Sequence, residues 1–264
     1  MARPERWASG DAYEPFIGRW SRLVAERFVD VLDPVPGRRW LDVGCGTGAV
    51  ARLILDEAEP EAVRGVDPSD AFVTHARRSV QDPRVEFLVG DARSIEEPDA
   101  SFDYVVSGLV VNFLPDPDAA VAEMKRVARP GGQVACYVWD YAAGMQMLRS
   151  FWDAAREVDP GAVDLDEGVR FELCQPGPLG QLWRDGGLVD VSVRSIEVPT
   201  VFSDFDDYWQ PFLGGQGPAP TYIVSLDEQV RRRIEQLLRE RLPQDDEGRI
   251  SMTARAWTVV GRVV

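Results

Sequence analysis

The chain is poor in the side chains that most often carry polar chemistry. Its 264 residues hold one histidine, His75, one lysine, Lys125, and three cysteines, Cys45, Cys136 and Cys174. Three scattered cysteines exclude a disulfide framework and a thiolate metal cluster. Free cysteine is usually buried, so Cys45 and Cys136 are read as packing residues, which fits a reducing compartment. The amino terminus, Met1-Ala-Arg-Pro-Glu-Arg, has no apolar signal core, and no uninterrupted apolar run reaches spanning length. A cytoplasmic protein with no membrane partner is therefore expected. Positive charge is scarce too: 29 Lys and Arg face 44 Asp and Glu, a net charge of −15. Such a balance repels nucleic acid phosphates and argues against a nucleic acid partner. The one basic run, Arg231 to Arg233, alternates with Glu228, Glu235 and Glu240 as a solvated helix face does. His75 falls on a helix with Arg77 and Arg78 and is expected to be exposed rather than to act as a base.

Glycine, by contrast, is concentrated where it matters. Trp40-Leu-Asp-Val-Gly-Cys-Gly-Thr-Gly48 reads as a buried strand entering a glycine turn that opens a helix, Ala49 to Leu55. Removing side chains from Gly44, Gly46 and Gly48 lets a ligand approach bare backbone. One βα unit later, Val63 to Asp67 is a short strand ending in an acid, placed to accept ribose hydroxyls. Val85 to Val89 leads to Gly90-Asp91-Ala92, and Phe102 to Ser107 is a fourth strand ending in a small polar residue. Ala128-Arg-Pro-Gly-Gly132 stops a helix before a fifth strand, Gln133 to Trp139. Five alternating units predict a doubly wound parallel sheet of the α/β class.

These motifs, over roughly residues 36 to 140, resemble the class I S-adenosylmethionine-dependent methyltransferases of small-molecule type, similar to the branch of ubiquinone and menaquinone biosynthesis. The family's first motif, an acid, an apolar residue and then G-x-G-x-G, is matched from Asp42 to Gly48. A nicotinamide site would need G-x-G-x-x-G, and here Gly48 comes one residue early with Ala49 behind it. The resemblance implies S-adenosyl-L-methionine as cofactor, with S-adenosyl-L-homocysteine as product. It implies that Asp42, Gly44, Cys45, Gly46 and Gly48 hold the cofactor, with Asp67 and Pro68 at the ribose. It also implies Phe72 over the adenine, Asp91 with the Ala92 amide reading the adenine edge, and backbone at Ser107 facing the methionine end. The implied fold is a Rossmann-like seven-stranded sheet of five parallel units plus an antiparallel strand pair, with cap insertions. Val189 to Phe202 and Ile250 to Val263 alternate as that pair should, the last strand slipping between the fifth and sixth.

Three segments are expected: a helical cap over 1–35, the cofactor core over 36–140, and 141–264 as the rest of the same domain, with insertions near 141–178 and 203–246. In the first, Tyr13 is a substrate candidate, and Arg19 either pairs with the methionine carboxylate or lies in water. Asp140 and Tyr141, at the end of the fifth strand, are the catalytic candidates, although Asp140 also suits the cap of a helix over Met145 to Val158. Asp164 to Pro178 reads as loop. Asn112 either bonds a substrate or satisfies the turn before Leu114. Tyr208, Trp209 and Gln216 lie in a stretch whose Gly and Pro density predicts a shaped loop, read first as a substrate lid and second as a local mini-core. No metal is expected, because the fourth strand ends in Ser107-Gly108 rather than in acids. The expected reaction is in-line methyl transfer to a small, partly apolar molecule. The alternative is a protein of the same fold that uses the bound cofactor for a pericyclic or isomerising reaction, or only binds.

Overall fold

A computed structural model describes residues 14–214 and 217–264. Seven strands form one sheet: β1 (Arg39–Val43), β2 (Ala62–Asp67), β3 (Val85–Val89), β4 (Phe102–Gly108), β5 (Ala128–Trp139), β6 (Val189–Phe202) and β7 (Ile250–Arg262). Their order is β3-β2-β1-β4-β5-β7-β6. β1 pairs in parallel with β2 and β4, with Leu41 opposite both Arg64 and Val105. β7 runs the other way. The Val263 carbonyl, just past its end, accepts from the Gly131 amide at 2.8 Å, and its Arg255 carbonyl accepts from the Asp140 amide at 2.9 Å, so numbers rise on one strand as they fall on the other. The expected mixed sheet, last strand inserted, is therefore the one observed.

Local chemistry explains the elements. Trp40, Leu41, Asp42 and Val43 are all buried, as a central strand covered on both faces requires. Trp40 stacks on Tyr104 at 4.1 Å between ring centroids. The helix Asp70–Ser79 starts where the Ser69 hydroxyl accepts from the Phe72 amide at 3.3 Å. The helix Pro117–Val127 starts where Asp116 accepts from the Ala119 amide at 3.0 Å. β5 begins earlier than the sequence predicts. It pairs from Ala128, and the register then jumps from Phe102↔Ala128 to Tyr104↔Gln133, so the Pro-Gly-Gly run makes an irregularity inside the strand instead of preceding it.

The chain forms two compact units that cut across the three segments expected from sequence. One comprises Arg22–Val138, Leu173–Ile196 and Ala256–Val264 and contains the glycine turn. Within it Phe28 meets Tyr137 at 4.8 Å, and the Trp183 indole N–H donates to the Val134 carbonyl at 2.9 Å. Among the described residues, the other comprises 14–21, Trp139–Glu172, 197–214 and 217–255. It is centred on aromatic rings: Phe151 stacks on Phe212 at 4.6 Å, and Trp152 meets Tyr222 at 5.4 Å.

Two stretches expected to be loops are helical. Helical turns run over Pro160–Leu165, Glu167–Arg170, Glu172–Cys174 and Pro176–Asp185, and again over Phe205–Trp209, Gln210–Gly214 and Pro218–Ser225. Proline at the first helical position gives up an amide that has no partner there anyway, which suits Pro160, Pro176 and Pro218. Asp166 and Asp204 supply caps, accepting from the Gly168 and Asp207 amides at 2.8 Å each. Proline in these stretches marks helix starts.

Candidate functional site

The turn after β1 is tied down by backbone. The Gly44 and Cys45 amides both donate to the Val66 carbonyl, at 2.8 and 3.0 Å. Gly44, Gly46 and Gly48 all have left-handed backbone, with φ of 74°, 52° and 87°. Their reasons for being glycine differ. A Cβ on Gly44 would lie 2.6 Å from Val110 Cγ2, and one on Gly48 would lie 3.1 Å from Phe87, so both positions are closed by packing. A Cβ on Gly46 would meet nothing within 4 Å. Open space beside bare, left-handed backbone is a cradle for a ligand.

Carboxylates surround that cradle. Asp67, buried at the end of β2, accepts from the Gly46 amide through Oδ2 at 3.0 Å and from the Ser69 amide through Oδ1 at 2.9 Å. Each oxygen keeps a further acceptor site for a hydroxyl. Asp42 is buried, and the Ala51 amide is the one group that approaches its carboxyl as a donor, without closing a well-formed hydrogen bond. Burial pushes its carboxyl up to about 7, against the lowering effect of the Ala51 amide and with help from Asp67. Burial, then the Asp42 and Asp67 charges, push the Cys45 thiol up, so it is a packing residue and no nucleophile. Next to the turn, Pro68 is exposed and Phe72 half-buried. Asp91 is held by Arg93, whose Nη2 lies 2.6 Å from Oδ2 and whose Nε and backbone amide both reach Oδ1. That pairing lowers the Asp91 carboxyl to about 2. Ala92 is buried behind it. The Ser107 hydroxyl turns into the sheet and donates to the Val43 carbonyl at 2.8 Å, so only its backbone is left to face a ligand. Asn112 sits in the short turn Val111–Phe113 with its amide nitrogen shielded and unpartnered. His75 is exposed, as expected.

The other candidates are committed elsewhere. Arg19 does not lie free in water: its Nη1 is 2.9 Å from Asp207 Oδ1, and its guanidinium lies over Trp20 at 4.5 Å and Phe202 at 4.9 Å. Asp140 is buried and ion-paired, with Oδ2 2.7 Å from Arg255, while Oδ1 accepts from the Ala143 amide at 3.1 Å. It caps that turn and not the following helix, which spans Gln146–Val158 and has Met145 at its cap position. Tyr141 is buried, with its ring 5.8 Å from Phe171. Tyr208 is fully buried and donates its hydroxyl to the Met147 carbonyl at 2.9 Å. Trp209 is buried between Phe205 and Phe212. The lid reading is corrected for these two: they are core, as the mini-core alternative has it. Tyr13 and Gln216 lie outside the described residues. The sequence reading missed Arg93, two residues after Asp91, and Val110, whose side chain closes Gly44. A groove of about 750 Å³ at the amino ends of β1, β4 and β5, lined by Arg38, Asp103, Arg129 and Gly131 among others, holds none of the candidates. Among the described residues no group of three His, Cys, Asp or Glu could hold a metal ion.

Comparison with known proteins places this geometry. Residues 41–136 match the family model described as "Methyltransferase domain". The chain is 34% identical over 138 residues to a malonyl-[acyl-carrier protein] O-methyltransferase of Serratia marcescens, covering 52% of this chain and 51% of that one. It is 38% identical over 104 residues to a demethylmenaquinone methyltransferase of Listeria welshimeri, covering 38% and 44%. The chain thus spans about half the length, or less, of these curated relatives. In fold it is similar to the YcgJ protein of Bacillus subtilis, with a TM-score of 0.57 and 19% identity over 93% of this chain and 98% of that one. It is also similar in fold to a Haemonchus contortus phosphoethanolamine N-methyltransferase solved with S-adenosylhomocysteine, with a TM-score of 0.58 and 19% identity over 96% and 56%. The stretch from the first strand to the fifth, with the glycine turn at its head, is thus the part of the chain that matches the methyltransferase domain family.

Proposed function

We propose that the chain binds S-adenosylmethionine on the Gly44–Gly48 turn and methylates a small, partly apolar molecule. The observation that carries this reading is the open, left-handed backbone at Gly46, whose amide is pinned by the same Asp67 carboxylate that stands at the end of β2. That arrangement fits an adenosyl ligand: bare backbone for close approach, and a charged acceptor one hydrogen bond away for ribose hydroxyls. When bound, the cofactor supplies a methyl group already activated on a sulfonium sulfur. The chain's own work is then to hold and orient. Asp67 accepts from the ribose, Phe72 covers the adenine, and Asp91 with the Ala92 amide meets its edge. Backbone at Ser107 faces the amino-acid end. Positioning of this kind supplies much of the rate of a displacement that needs a near-attack geometry and little proton transfer.

No general base is assigned. The Asp140 carboxylate is spent on Arg255 and on the Ala143 amide. The reaction is also read as independent of metal, because β4 ends in Ser107-Gly108, which offers no hard anionic donors. The net charge of −15 supports a small acceptor over a nucleic acid. The two relatives are named for different acceptors, so neither name is carried over. Scarce cysteine supports a reducing compartment, the cytoplasm, and no helix among the described residues is long and apolar enough to cross a membrane.

The test is titration calorimetry with S-adenosylhomocysteine, followed by incubation of methyl-labelled S-adenosylmethionine with a panel of small acceptors. Saturable binding and label transfer are expected. Absence of saturable binding would end the proposal, and consumption of an acceptor without S-adenosylhomocysteine forming would leave binding but remove methyl transfer.

A further inference from the structure

The glycine turn follows the carboxyl end of β1. The groove of about 750 Å³ lies at the other end of the sheet, and all of its lining belongs to the same unit as the turn. Its size suits a small organic molecule. Its walls are tied together: the Val35 amide donates to the Tyr104 hydroxyl at 3.1 Å, and the Gln133 side-chain amide donates to the Leu32 carbonyl at 3.2 Å. Half-buried Asp103, near the start of β4, gathers three donors. Its Oδ2 accepts from the Arg39 amide at 2.9 Å and from Arg129 Nη1 at 3.0 Å, and its Oδ1 from Arg38 Nη1 at 3.5 Å. The Pro-Gly-Gly irregularity of β5 forms another side. Gly131 has left-handed backbone there, φ 79°, and a Cβ on it would meet nothing within 4 Å.

Charge in this groove runs against that of the chain. Four guanidiniums and three carboxylates line it, whereas the whole chain carries −15. One of those carboxylates, Asp103, is shared by Arg38 and Arg129. Asp33 and Asp190, the other two, are ion-paired with none of the four among the described residues. Arg262 spends Nη1 on the Gly131 carbonyl at 3.3 Å, a neutral acceptor that leaves its charge unmatched. Arg194 makes no hydrogen bond or ion pair among the described residues. These last two stand on the neighbouring strands β7 and β6. Guanidinium forks match the oxygens of a phosphate, and several around one cavity suit a doubly charged group. Nucleic acid would meet the repulsion of the whole chain, so the anion is small. Val31, Val35 and Val260 give the groove an apolar side as well.

We infer that this groove binds a small phosphomonoester, its phosphate on Arg194 and Arg262 and its apolar body against Val31, Val35 and Val260. The site is separate from the glycine turn and stands whether or not the chain transfers a methyl group. Asp103 is a positioning residue in it, since it holds Arg38 and Arg129 at the groove and ties both to the start of β1.

The test is titration calorimetry at low ionic strength with phenyl phosphate, inorganic phosphate, benzoate and phenol. The parent chain should bind phenyl phosphate saturably at one site, about 10-fold more tightly than inorganic phosphate or benzoate, and more weakly as salt is added. Phenol should not bind. Arg194→Ala and Arg262→Ala change exposed residues and should fold like the parent, each binding phenyl phosphate about 10-fold more weakly. Val35→Trp, which fills the groove from an exposed position without changing its charge, should weaken binding as much. Absence of saturable phenyl phosphate binding to the parent overturns the inference. Binding left unchanged by both Arg194→Ala and Val35→Trp overturns it too, by placing the anion elsewhere on the chain. Benzoate bound as tightly as phenyl phosphate overturns the doubly charged group. S-adenosylhomocysteine should bind Arg194→Ala as it binds the parent, and a loss of about 10-fold there would overturn the separation of the two sites. If the parent binds phenyl phosphate but no S-adenosylhomocysteine, the methyl-donor reading has failed and this one stands.

Discussion

Each unit of the chain buries a carboxyl that its surroundings push up to about 7, Asp42 beside the glycine turn and Glu167 among the aromatic rings. Burial is the leading cause in both. Their neighbours differ. Glu167 accepts from the Trp152 indole, and the adjacent Asp166 is bound by Arg149, by Arg156 at 2.9 Å and by the Gly168 amide at 2.8 Å. Asp42 has only the nearby Ala51 amide to set against its burial, with no well-formed hydrogen bond to either oxygen. Saturated polar groups specify and rigidify a packing arrangement, whereas an unmet one is tolerated only where something else is served. The contrast lies in the carboxyls alone, because Arg149 Nε and Arg156 Nε of the network around Asp166 are themselves shielded and unpartnered: the acids there are bound by side chains of the protein, and Asp42 is not.

A large expected effect tests the structural half. Asp166→Ala strands the Arg149 charge, leaves Arg156 only Asp153, and should cost about 3 kcal/mol of stability in a denaturant titration. A loss below 1 kcal/mol would mean that the network is ornamental and the contrast empty. Asp42→Asn tests the other half through pH. The folded chain holds the Asp42 proton up to about pH 7, while the unfolded chain releases it near 3.8. The folded state therefore binds the extra proton in that window, and stability falls as pH rises through it. The full penalty, up to about 4 kcal/mol for about three pH units, is present above pH 7. Asn in its place should stabilise the chain by up to that amount at pH 8 and by almost nothing below pH 4. Glu167→Gln should act over a similar window, from 4.5 to about 7, with a smaller gain because the Trp152 indole loses a charged acceptor. Equal gains for the two would erase the distinction between them.

The same contrast explains what could be read from sequence. Everything in the glycine-turn unit that the sequence reading found is local. Left-handed glycines and an acid at a strand end are specified within a few positions, as Gly46 and Asp67 illustrate. The aromatic unit is fixed by partners far apart in the chain. Arg19 finds Asp207 across 188 positions, Asp140 finds Arg255 across 115, and Tyr208 finds Met147 across 61. No spacing rule reports such pairs, so the sequence alone offers Arg19 to the cofactor's carboxylate, Asp140 to catalysis or a helix cap, and Tyr208 to the substrate. The Pro-rich stretches failed for another reason. Proline starts a helix as readily as it ends one, and the caps that decide between the two, Asp159, Asp166 and Asp204, look like ordinary loop acids.

A smaller effect sharpens the binding half. Asp67→Ala should weaken S-adenosylhomocysteine by about 1–3 kcal/mol in calorimetry, since ribose hydroxyls lose a charged acceptor and the Gly46 amide loses the oxygen that fixes it. Unchanged affinity would mean that the cradle holds its shape without the carboxylate and that the ribose is met elsewhere.

The smallest effect separates the two units most cleanly. Tyr208 is one of the residues that the sequence offers to a substrate lid, yet its ring lies 5.3 Å from those of Phe202 and Phe212, and its hydroxyl is spent on the Met147 carbonyl. Tyr208→Phe keeps the ring packing and leaves one carbonyl short of a donor. That change should cost about 1 kcal/mol in thermal or denaturant unfolding. Affinity for S-adenosylhomocysteine and the rate with any methyl acceptor found should stay within twofold of the parent. A large fall in turnover with unchanged stability would return this hydroxyl to the substrate and undo the reading of the aromatic unit as a closed core.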